Sequence, residues 1–311
     1  MKHARNFVRL ILIMVGLTAV GLGVYTWQHR SPGAPPYVGG EAWSSIPVDL
    51  PLRNDSEHDA ALTRNGGEPY VLEIPAGPSG AILYYGASHT RAADHPQIRD
   101  IEARWDSFRP TAALCEGRSR GYFFGALIEP FAGLPEPALV HKLARRDEVP
   151  LFSLEPQYRD EVAALLEEFS PEQVALYFFL RVYMSEAQGF AKDGLAADLL
   201  AKRTDVEGLR GSLASLAAVD SLWLQDFHDR EDWRILTAEP QGSYLSDISA
   251  ESRRIRGEHM IRTVTDLARR GERVFAVVGS GHVIRQEWNL RALFDLEPAW
   301  DQPRSGAEAI D

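Results

Sequence analysis

Hydrophobic and polar positions divide the chain into an N-terminal membrane-like run and a globular part. Residues 10–27 carry no charge. As a helix they would span about 27 Å, close to the thickness of the hydrocarbon core of a bilayer. Three cations precede the run, at Lys2, Arg5 and Arg9. Because positive charge is retained in the cytoplasm, we expect the N-terminus inside and the rest of the chain outside.

The end of this run favours an uncleaved anchor over a cleavable signal peptide. It closes on Tyr25-Thr26-Trp27, which is typical of the aromatic belt at a membrane interface, whereas cleavage sites consist of small residues. In either case the globular part is exported. We assign four segments: a cytoplasmic stub and transmembrane anchor (1–30), a Pro/Gly-rich tether (31–44), a single α/β domain (45–300) and a flexible tail (301–311).

The globular part alternates short apolar runs with helical periodicity. Runs at residues 70–74 and 81–85, separated by a Pro/Gly turn, predict a β-hairpin. Three further strands are predicted, at residues 111–115, 151–154 and 273–278. Helices are predicted between them, one starting near Pro96 and one over residues 138–146. This alternation predicts an α/β fold with a mostly parallel central sheet and flanking helices.

An all-helical insertion is predicted within this unit, over residues 158–228. Ser170 to Gln173 combine a capping box with a proline in the first turn, and the VALYFFLRVYM that follows is apolar nearly all round, which indicates a buried helix. A further helix is predicted over residues 249–270, where Gly271 stops it before the last central strand.

The composition excludes several classes of protein. The chain has 311 residues, 45% of them apolar and 25% charged, which is ordinary globular composition. The formal net charge of −11 argues against a nucleic-acid partner, because neutralising phosphates requires a basic face. The single cysteine, Cys115, excludes internal disulfides and cysteine-rich zinc modules, and we expect it to be a small buried hydrophobe.

Four polar residues each come just after an apolar strand: His89, Glu116, Glu155 and His282. The carboxyl ends of parallel strands line one edge of a sheet, where ligands bind. Two imidazoles and two carboxylates there suit a metal ion or acid–base catalysis. Structural roles stay open for each of them. A histidine can be a hydrogen-bonded turn residue, Glu116 can cap a helix or pair with a nearby arginine, and Glu155 can be an ordinary strand-end carboxylate.

Both histidines end a Gly-x-x-His motif placed directly after a strand. The two motifs are Gly86-Ala87-Ser88-His89 and Gly279-Ser280-Gly281-His282. Glycine at a strand end lets the backbone turn sharply and approach a ligand closely, while the histidine is expected to point into the cleft. The His-Glu-x-x-His pattern of zinc peptidases does not occur in the sequence.

Arg256 is predicted to reach the same edge through helix geometry. It shares an apolar helix face with the residues at i+4, i+8 and i+11, one turn from the start of the helix predicted at 249–270. That helix precedes the last strand, so its N-terminus is expected at the same sheet edge as His282. An inward-facing cation there could hold a carboxylate ligand or stabilise an oxyanion, or it could bridge to Glu258 or Asp247.

The order of these motifs resembles the TraB/TIKI (GumN-like) family, which is related to the erythromycin-esterase-like and ChaN-like proteins. The matching stretches are YYGASH at 84–89, ALCEG at 113–117, RGEHM at 256–260 and VFAVVGSGH at 274–282. The resemblance implies an α/β fold, often membrane-anchored, and in some members a metal-dependent peptidase. It also implies that His89, Glu116 and His282 are the metal or catalytic residues, with Arg256 supporting them.

The resulting hypothesis is a membrane-tethered, extracytoplasmic hydrolase that depends on a metal and acts on an amide or ester, such as a peptide. His89, His282 and Glu116 are expected to hold a divalent ion, with manganese, cobalt or zinc as the suspected metals. Glu155 is expected to be the general base or a fourth ligand, and Arg256 to steady the oxyanion.

Three alternatives stay open. In a metal-free esterase, His89 is the general base and activity survives chelators. In a non-enzymatic haem- or iron-binding surface protein, His89 or His282 is an axial ligand and no turnover occurs. In a signalling or scaffold protein with a decayed site, alanine at both histidines leaves the phenotype unchanged.

Overall fold

The computed structural model describes residues 34–77, 80–88, 90, 92, 94–116, 136–186 and 193–297. The predicted anchor, His89 and the predicted C-terminal tail lie outside these residues. The strands are β1 (Tyr70–Pro75), β2 (Ala81–Ala87), β3 (Ala112–Cys115), β4 (Leu151–Ser153) and β5 (Arg273–Gly279). The helices are α1 (Glu41–Ser44), α2 (Asp55–Asn65), α3 (Pro96–Phe108), α4 (Glu136–Arg146), α5 (Tyr158–Leu165), α6 (Pro171–Glu186), α7 (Asp193–Thr204), α8 (Leu216–Asp226), α9 (Tyr244–Arg269) and α10 (Ser280–Leu293), with a 3₁₀ turn at Trp233–Ile235.

The five strands form one sheet in the order β1-β2-β5-β3-β4. β1 and β2 pair antiparallel, with Tyr70 opposite Gly86 and Pro75 opposite Ala81, which confirms the predicted hairpin. The other three pairs are parallel. β5 is central because it is apolar on both faces, and every residue from Val274 to Gly279 is buried. The fold is therefore α/β, with a mixed, mostly parallel sheet and flanking helices, as predicted.

Helices cover both faces of the sheet. On one face, Met260 and Val264 of α9 pack with Tyr84 of β2 and with other buried side chains. On the other face, Trp105 of α3 meets Phe275 of β5 edge-on, with ring centroids 5.1 Å apart. Burial of a large apolar side chain contributes about 1.5–3 kcal/mol. These layers therefore hold the sheet rigid beneath the edge where the predicted site lies.

Every element that the structure describes between β4 and β5 is a helix, in agreement with the predicted helical section. These helices share their own apolar core, in which Phe179, Trp223 and Trp233 are buried. α6 begins at Pro171, and Ser170 and Gln173 make the predicted reciprocal capping bonds, at 3.1 and 3.3 Å.

α9 begins at Tyr244, five residues earlier than predicted, so Arg256 lies in the middle of the helix and not one turn from its start. The prediction was wrong because the helix serves two cores. Leu245 and Ile248 in its first turns are buried in the helical core, whereas its later apolar residues pack on the sheet. The periodicity of the sheet-facing residues alone does not reveal the earlier turns.

The described part of the predicted tether, residues 34–44, contacts the domain. The Tyr37 ring centroid lies 4.1 Å from the guanidinium carbon of Arg270, and the Trp43 indole N–H donates to the Thr263 hydroxyl at 3.2 Å. Both partners are on α9 or at its end. Pro and Gly content predicts a tether here, and two aromatic side chains attach its described part to the domain.

Candidate active site

Four of the predicted site residues meet at the carboxyl edge of the sheet. Glu116 directly follows β3, Glu155 lies two residues after β4, and His282 lies in the first turn of α10, which follows β5 without a loop. Because β4, β3 and β5 are parallel neighbours, the residues that follow them leave the sheet on the same side. Arg256 reaches this edge from the middle of α9.

Glu116 contacts His282 at this edge. Its Oε1 atom lies 3.2 Å from His282 Nε2, and its Oε2 atom accepts the Gly279 backbone N–H at 2.7 Å. The second contact places the carboxylate at the N-terminus of α10, where the helix dipole favours negative charge. Glu116 therefore caps a helix and meets a predicted metal ligand as well. Both side chains are 20% exposed, so a small molecule can reach them.

The surroundings of Glu116 keep it ionised. Burial, the largest single influence, would raise its pKa, whereas the hydrogen bond and charge of His282 act against that effect. The Gly279 N–H and the charge of Arg256 act in the same direction as His282. The pKa of Glu116 is consequently held well below its ordinary value of 4.5. At neutral pH this residue is an acceptor or a ligand and not a proton donor.

Glu155 and Arg256 form a two-point ion pair behind this contact. Arg256 Nε donates to Glu155 Oε2 at 2.7 Å, and its Nη2 donates to Glu155 Oε1 and lies 3.4 Å from Glu116 Oε1. Both partners are buried, with Glu155 4% and Arg256 8% exposed. Burial disfavours both charges, but their attraction and hydrogen bonds lower the pKa of Glu155 and raise that of Arg256.

This ion pair bears on the roles predicted for its two members. A general base needs a free lone pair and a pKa near the working pH. Both oxygens of Glu155 are bound to one guanidinium and its pKa is lowered, so the geometry favours a positioning role over that of base or fourth ligand. Arg256 also contacts Glu116, and it thereby links the buried Glu155–Arg256 pair to the partly exposed Glu116–His282 contact.

The two motif glycines have different structural tasks. A Cβ atom on Gly86 would lie 2.8 Å from Ser280 Cα and 2.8 Å from the Tyr70 carbonyl oxygen, so only glycine lets α10 approach β2 this closely. Gly279 is the N-cap of α10 and supplies the N–H that binds Glu116. At Gly86 it is therefore helix α10, and not the expected ligand, that lies close to the backbone.

Two buried side chains, Gln97 and Glu136, hold the backbone at Ser88 and Thr90. Gln97 Oε1 accepts the Ser88 N–H at 3.0 Å, and Gln97 Nε2 donates to the Ser88 carbonyl at 2.6 Å. The same Nε2 donates to Glu136 Oε1 at 2.5 Å, and that oxygen accepts the Thr90 N–H at 3.0 Å. Gln97 and Glu136 are 2% and 1% exposed. Sequence patterns carried no signal for this clamp, because it joins the start of α3 to the start of α4.

An open cleft of about 400 Å³ lies over the Glu116–His282 contact. α10 contributes its first turn, where the Ser280 hydroxyl donates to Glu68 Oε1 at 2.5 Å. α6 and α9 supply another wall through Tyr177, Arg181 and Arg253, among others. The helical section is thus a wall of the cleft. Ser280 belongs to the second Gly-x-x-His motif, so the sequence could have indicated it as a site residue. No sequence pattern indicated the wall arginines Arg181 and Arg253.

Cys115 is not a nucleophile at this site. It is buried in β3, and burial together with the charges of Glu116 and Glu155 raises the pKa of its thiol to about 12. A thiol with this pKa is protonated at neutral pH and unreactive. The expectation of a small buried hydrophobe is confirmed.

The predicted metal ligands are described in part. Glu116 and His282 offer a carboxylate oxygen and an imidazole nitrogen 3.2 Å apart, which are donor types that zinc, cobalt and manganese accept. Within the described ranges, no group of three or more His, Cys, Asp or Glu side chains is placed to hold a metal ion. The third predicted ligand, His89, lies outside those ranges.

In comparisons with known proteins, no family model matches the chain, and neither a curated protein nor a solved structure matches it.

Proposed function

We propose that this chain is a hydrolase of amides or esters, peptidase-like and dependent on a divalent metal ion. The observation that carries the proposal is the Glu116–His282 contact of 3.2 Å at the carboxyl edge of the sheet, with both side chains reachable from the cleft. Ligand sites of parallel α/β sheets lie at this edge. The resemblance to the TraB/TIKI family, carried by the same residues, agrees with the proposal.

The donor set fits a metal ion. Glu116, His282 and His89 would hold it, the first ionised at neutral pH because its pKa is lowered. When bound, a divalent ion supplies Lewis-acid chemistry, which acidifies water and polarises a carbonyl group. The ion that we propose is manganese, cobalt or zinc.

The other residues of the site position the donors. The Gly279 N–H orients the Glu116 carboxylate, so that Oε2 is held by the backbone and Oε1 faces His282. Arg256, fixed by Glu155, places a positive charge beside Glu116 Oε1. That cation is also near enough to the cleft to stabilise negative charge that develops on a substrate oxygen.

A metal-free hydrolase is the second candidate, and the same contact favours it. A carboxylate hydrogen-bonded to one ring nitrogen of a histidine fixes the ring and leaves the other nitrogen to take a proton. In this arrangement His282, oriented by Glu116, is the general base that removes a proton from water. The base predicted from sequence for this mechanism, His89, lies outside the described residues.

We also propose that the hydrolase is exported and tethered to the membrane through residues 10–27. In the part of the chain that the structure describes, no helix is both long and apolar enough to cross a bilayer. The apolar run itself is not among those residues. Its length, its preceding cations and its aromatic end support the proposal.

The first test is elemental analysis of the full chain, purified without chelators or nickel columns, beside His282→Ala and His89→Ala. His228→Ala is the matched control, because His228 is exposed and lies in the helical section. We expect near-stoichiometric metal in the wild type and the control, and loss in both site variants. Absence of metal after dialysis against manganese, cobalt and zinc contradicts the metal-dependent proposal.

Hydrolysis of ester and amide substrates with and without a chelator then separates the two candidates. Activity that a chelator removes and the metal restores supports the metal-dependent hydrolase. Activity that survives the chelator and disappears in His282→Ala supports the metal-free one. If His282→Ala and His89→Ala keep wild-type activity while remaining folded, the site assignment is wrong.

A further inference from the structure

The helical wall of the cleft carries two arginines whose charges are weakly compensated. On α9, Ser249, Arg253 and Arg256 follow one another at i, i+4 and i+7, so they share one face, and all three line the cleft. On α6, Tyr177 and Arg181 are spaced i and i+4 and line it as well. Arg256 is held by Glu155, and Arg285, which lines the cleft from α10, is paired with Asp55. Among the described lining residues, Arg253 and Arg181 are the cations left available to a ligand.

Arg253 is exposed, and among the residues that the structure describes it makes no hydrogen bond or ion pair. Its neighbour in sequence behaves differently. Arg254 points away from this face and is paired with both Glu251 and Glu258. The contrast arises from helix geometry, since consecutive residues lie on different faces of a helix.

Arg181 is only loosely held. Its nearest carboxylate oxygen is Glu161 Oε1, 3.9 Å from Nη1, and that oxygen already accepts the Ser252 hydroxyl at 2.7 Å. Arg181 and Arg253 line the same cleft, Arg181 from α6 and Arg253 from α9.

Three carboxylates limit what this region can accept. The carboxylates of Glu68, Glu116 and Glu239 all line the cleft. A polyanion would meet these negative charges wherever it extended beyond the two arginines. A ligand with negative charge at one point avoids them.

We propose that the substrate of this hydrolase carries a single carboxylate, which Arg253 binds with help from Arg181 while the scissile amide or ester lies against the Glu116–His282 contact. A guanidinium group offers two parallel N–H donors that match the two oxygens of a carboxylate. A short peptide with a free C-terminus has the required chemistry. The proposal rests on the proposed function for its scissile group, and on the wall arginines for its carboxylate.

Equilibrium binding to the full chain tests the carboxylate without requiring turnover. The probes are N-benzoylglycine and its neutral analogue N-benzoylglycinamide, titrated into the wild type, Arg253→Gln and the matched control Arg254→Gln. We expect the carboxylate probe to bind about tenfold more tightly than the amide, as charged hydrogen bonds imply. The preference should be lost in Arg253→Gln and retained in Arg254→Gln. Equal binding of the two probes to the wild type, or an unchanged preference in Arg253→Gln, overturns the proposal.

Kinetic measurements distinguish failure of the carboxylate-site proposal from failure of the proposed hydrolase function. With 4-nitrophenyl hydrogen succinate and its methyl ester as substrates, Arg253→Gln should raise KM for the acid about tenfold relative to KM for the methyl ester. The matched control Arg254→Gln should leave this ratio of KM values as it is in the wild type. Equal effects on both substrates contradict the carboxylate site even though hydrolysis occurs. If the wild type hydrolyses neither substrate, nor any other amide or ester, the hydrolase proposal fails, and the binding experiment alone decides the carboxylate site.

Discussion

Glu155 and Arg256 remove two opposite charges from water and hold them together by two hydrogen bonds. Such a pair contributes little net stability compared with apolar residues, because desolvation offsets the attraction. Loss of one partner is different, since the other charge stays buried and uncompensated. If Glu155 were lost, the charge of Arg256 would remain beside Glu116 and disturb the Glu116–His282 contact.

Glu155→Gln is therefore expected to lower the free energy of unfolding at pH 7 by about 3–5 kcal/mol. The matched control is Glu168→Gln, at an exposed position, with an expected change within about 0.5 kcal/mol. Urea denaturation of both variants measures the two values. A difference of less than about 1 kcal/mol for Glu155→Gln would show that the pair is open to water in solution.

The same variant has a predictable dependence on pH. Because the pKa of Glu155 is lower in the folded than in the unfolded chain, its ionised form stabilises the fold fully above the ordinary value of 4.5. That contribution is lost as the pH falls from about this value toward the folded pKa. The stability difference between wild type and Glu155→Gln should consequently be largest near pH 7 and shrink below pH 4.5. A difference independent of pH argues against an ionised Glu155.

At the scale of elements, the site depends on how closely α10 lies on β2. The backbone of Ser280 fits against Gly86, and this contact fixes where His282 leaves the sheet edge. The atoms that a Gly86 side chain would meet are a Cα and a carbonyl oxygen, neither of which can rotate away. The glycine of the first motif thus supports the helix that carries the histidine of the second.

Gly86→Ala is expected to destabilise the fold by about 3 kcal/mol, the upper end of the range for overpacking. The control is Gly281→Ala in α10, where the nearest atom to the new Cβ is His58 Nε2 at 3.6 Å, an ordinary contact. Alanine is the better helix former, so this change is expected to be neutral or stabilising by up to about 1 kcal/mol. Equal stability of the two variants in denaturant would contradict the close packing of α10 on β2.

The Gln97–Glu136 clamp acts on the loop that follows β2. Gln97→Leu keeps the volume similar but leaves the N–H and carbonyl of Ser88 without these bonds, which is expected to cost about 1–3 kcal/mol. Hydrogen exchange in peptides covering residues 84–92 should accelerate, whereas Gln225→Leu, at an exposed position on α8, should leave it unchanged. Unaltered exchange in Gln97→Leu would mean that the loop is held by other contacts.

For the whole molecule, the cleft exists because two cores meet along α9. Its first turns are buried in the helical core and its later turns in the sheet core, with Arg256 between them. A rigid helix shared in this way fixes the distance between the wall arginines and the sheet edge. Under the proposed function, substrate recognition by the helical wall and chemistry at the sheet edge would belong to different layers of the fold.

The proposed membrane tether also concerns the whole chain. We expect the full chain to stay with membranes through washes at high salt and alkaline pH, since burying an apolar helix does not depend on charge. The double variant Leu17→Arg, Val20→Arg places two charges in the run and should release the protein, because each costs about 2.5–3.5 kcal/mol at a helix centre. Release of the wild type by alkaline carbonate would contradict an integral anchor.

What the sequence alone determined is the local and periodic part of this protein. Strand–helix alternation predicted the α/β sheet with its hairpin, and the position after each strand predicted that Glu116, Glu155 and His282 share an edge, because these signals depend only on near neighbours. Tertiary structure alone decided that Glu155 is bound by Arg256, that α9 spans two cores, and that Gln97 reaches Ser88. Each of these joins residues from separate elements, and a contact between distant segments leaves no periodic trace in a single sequence.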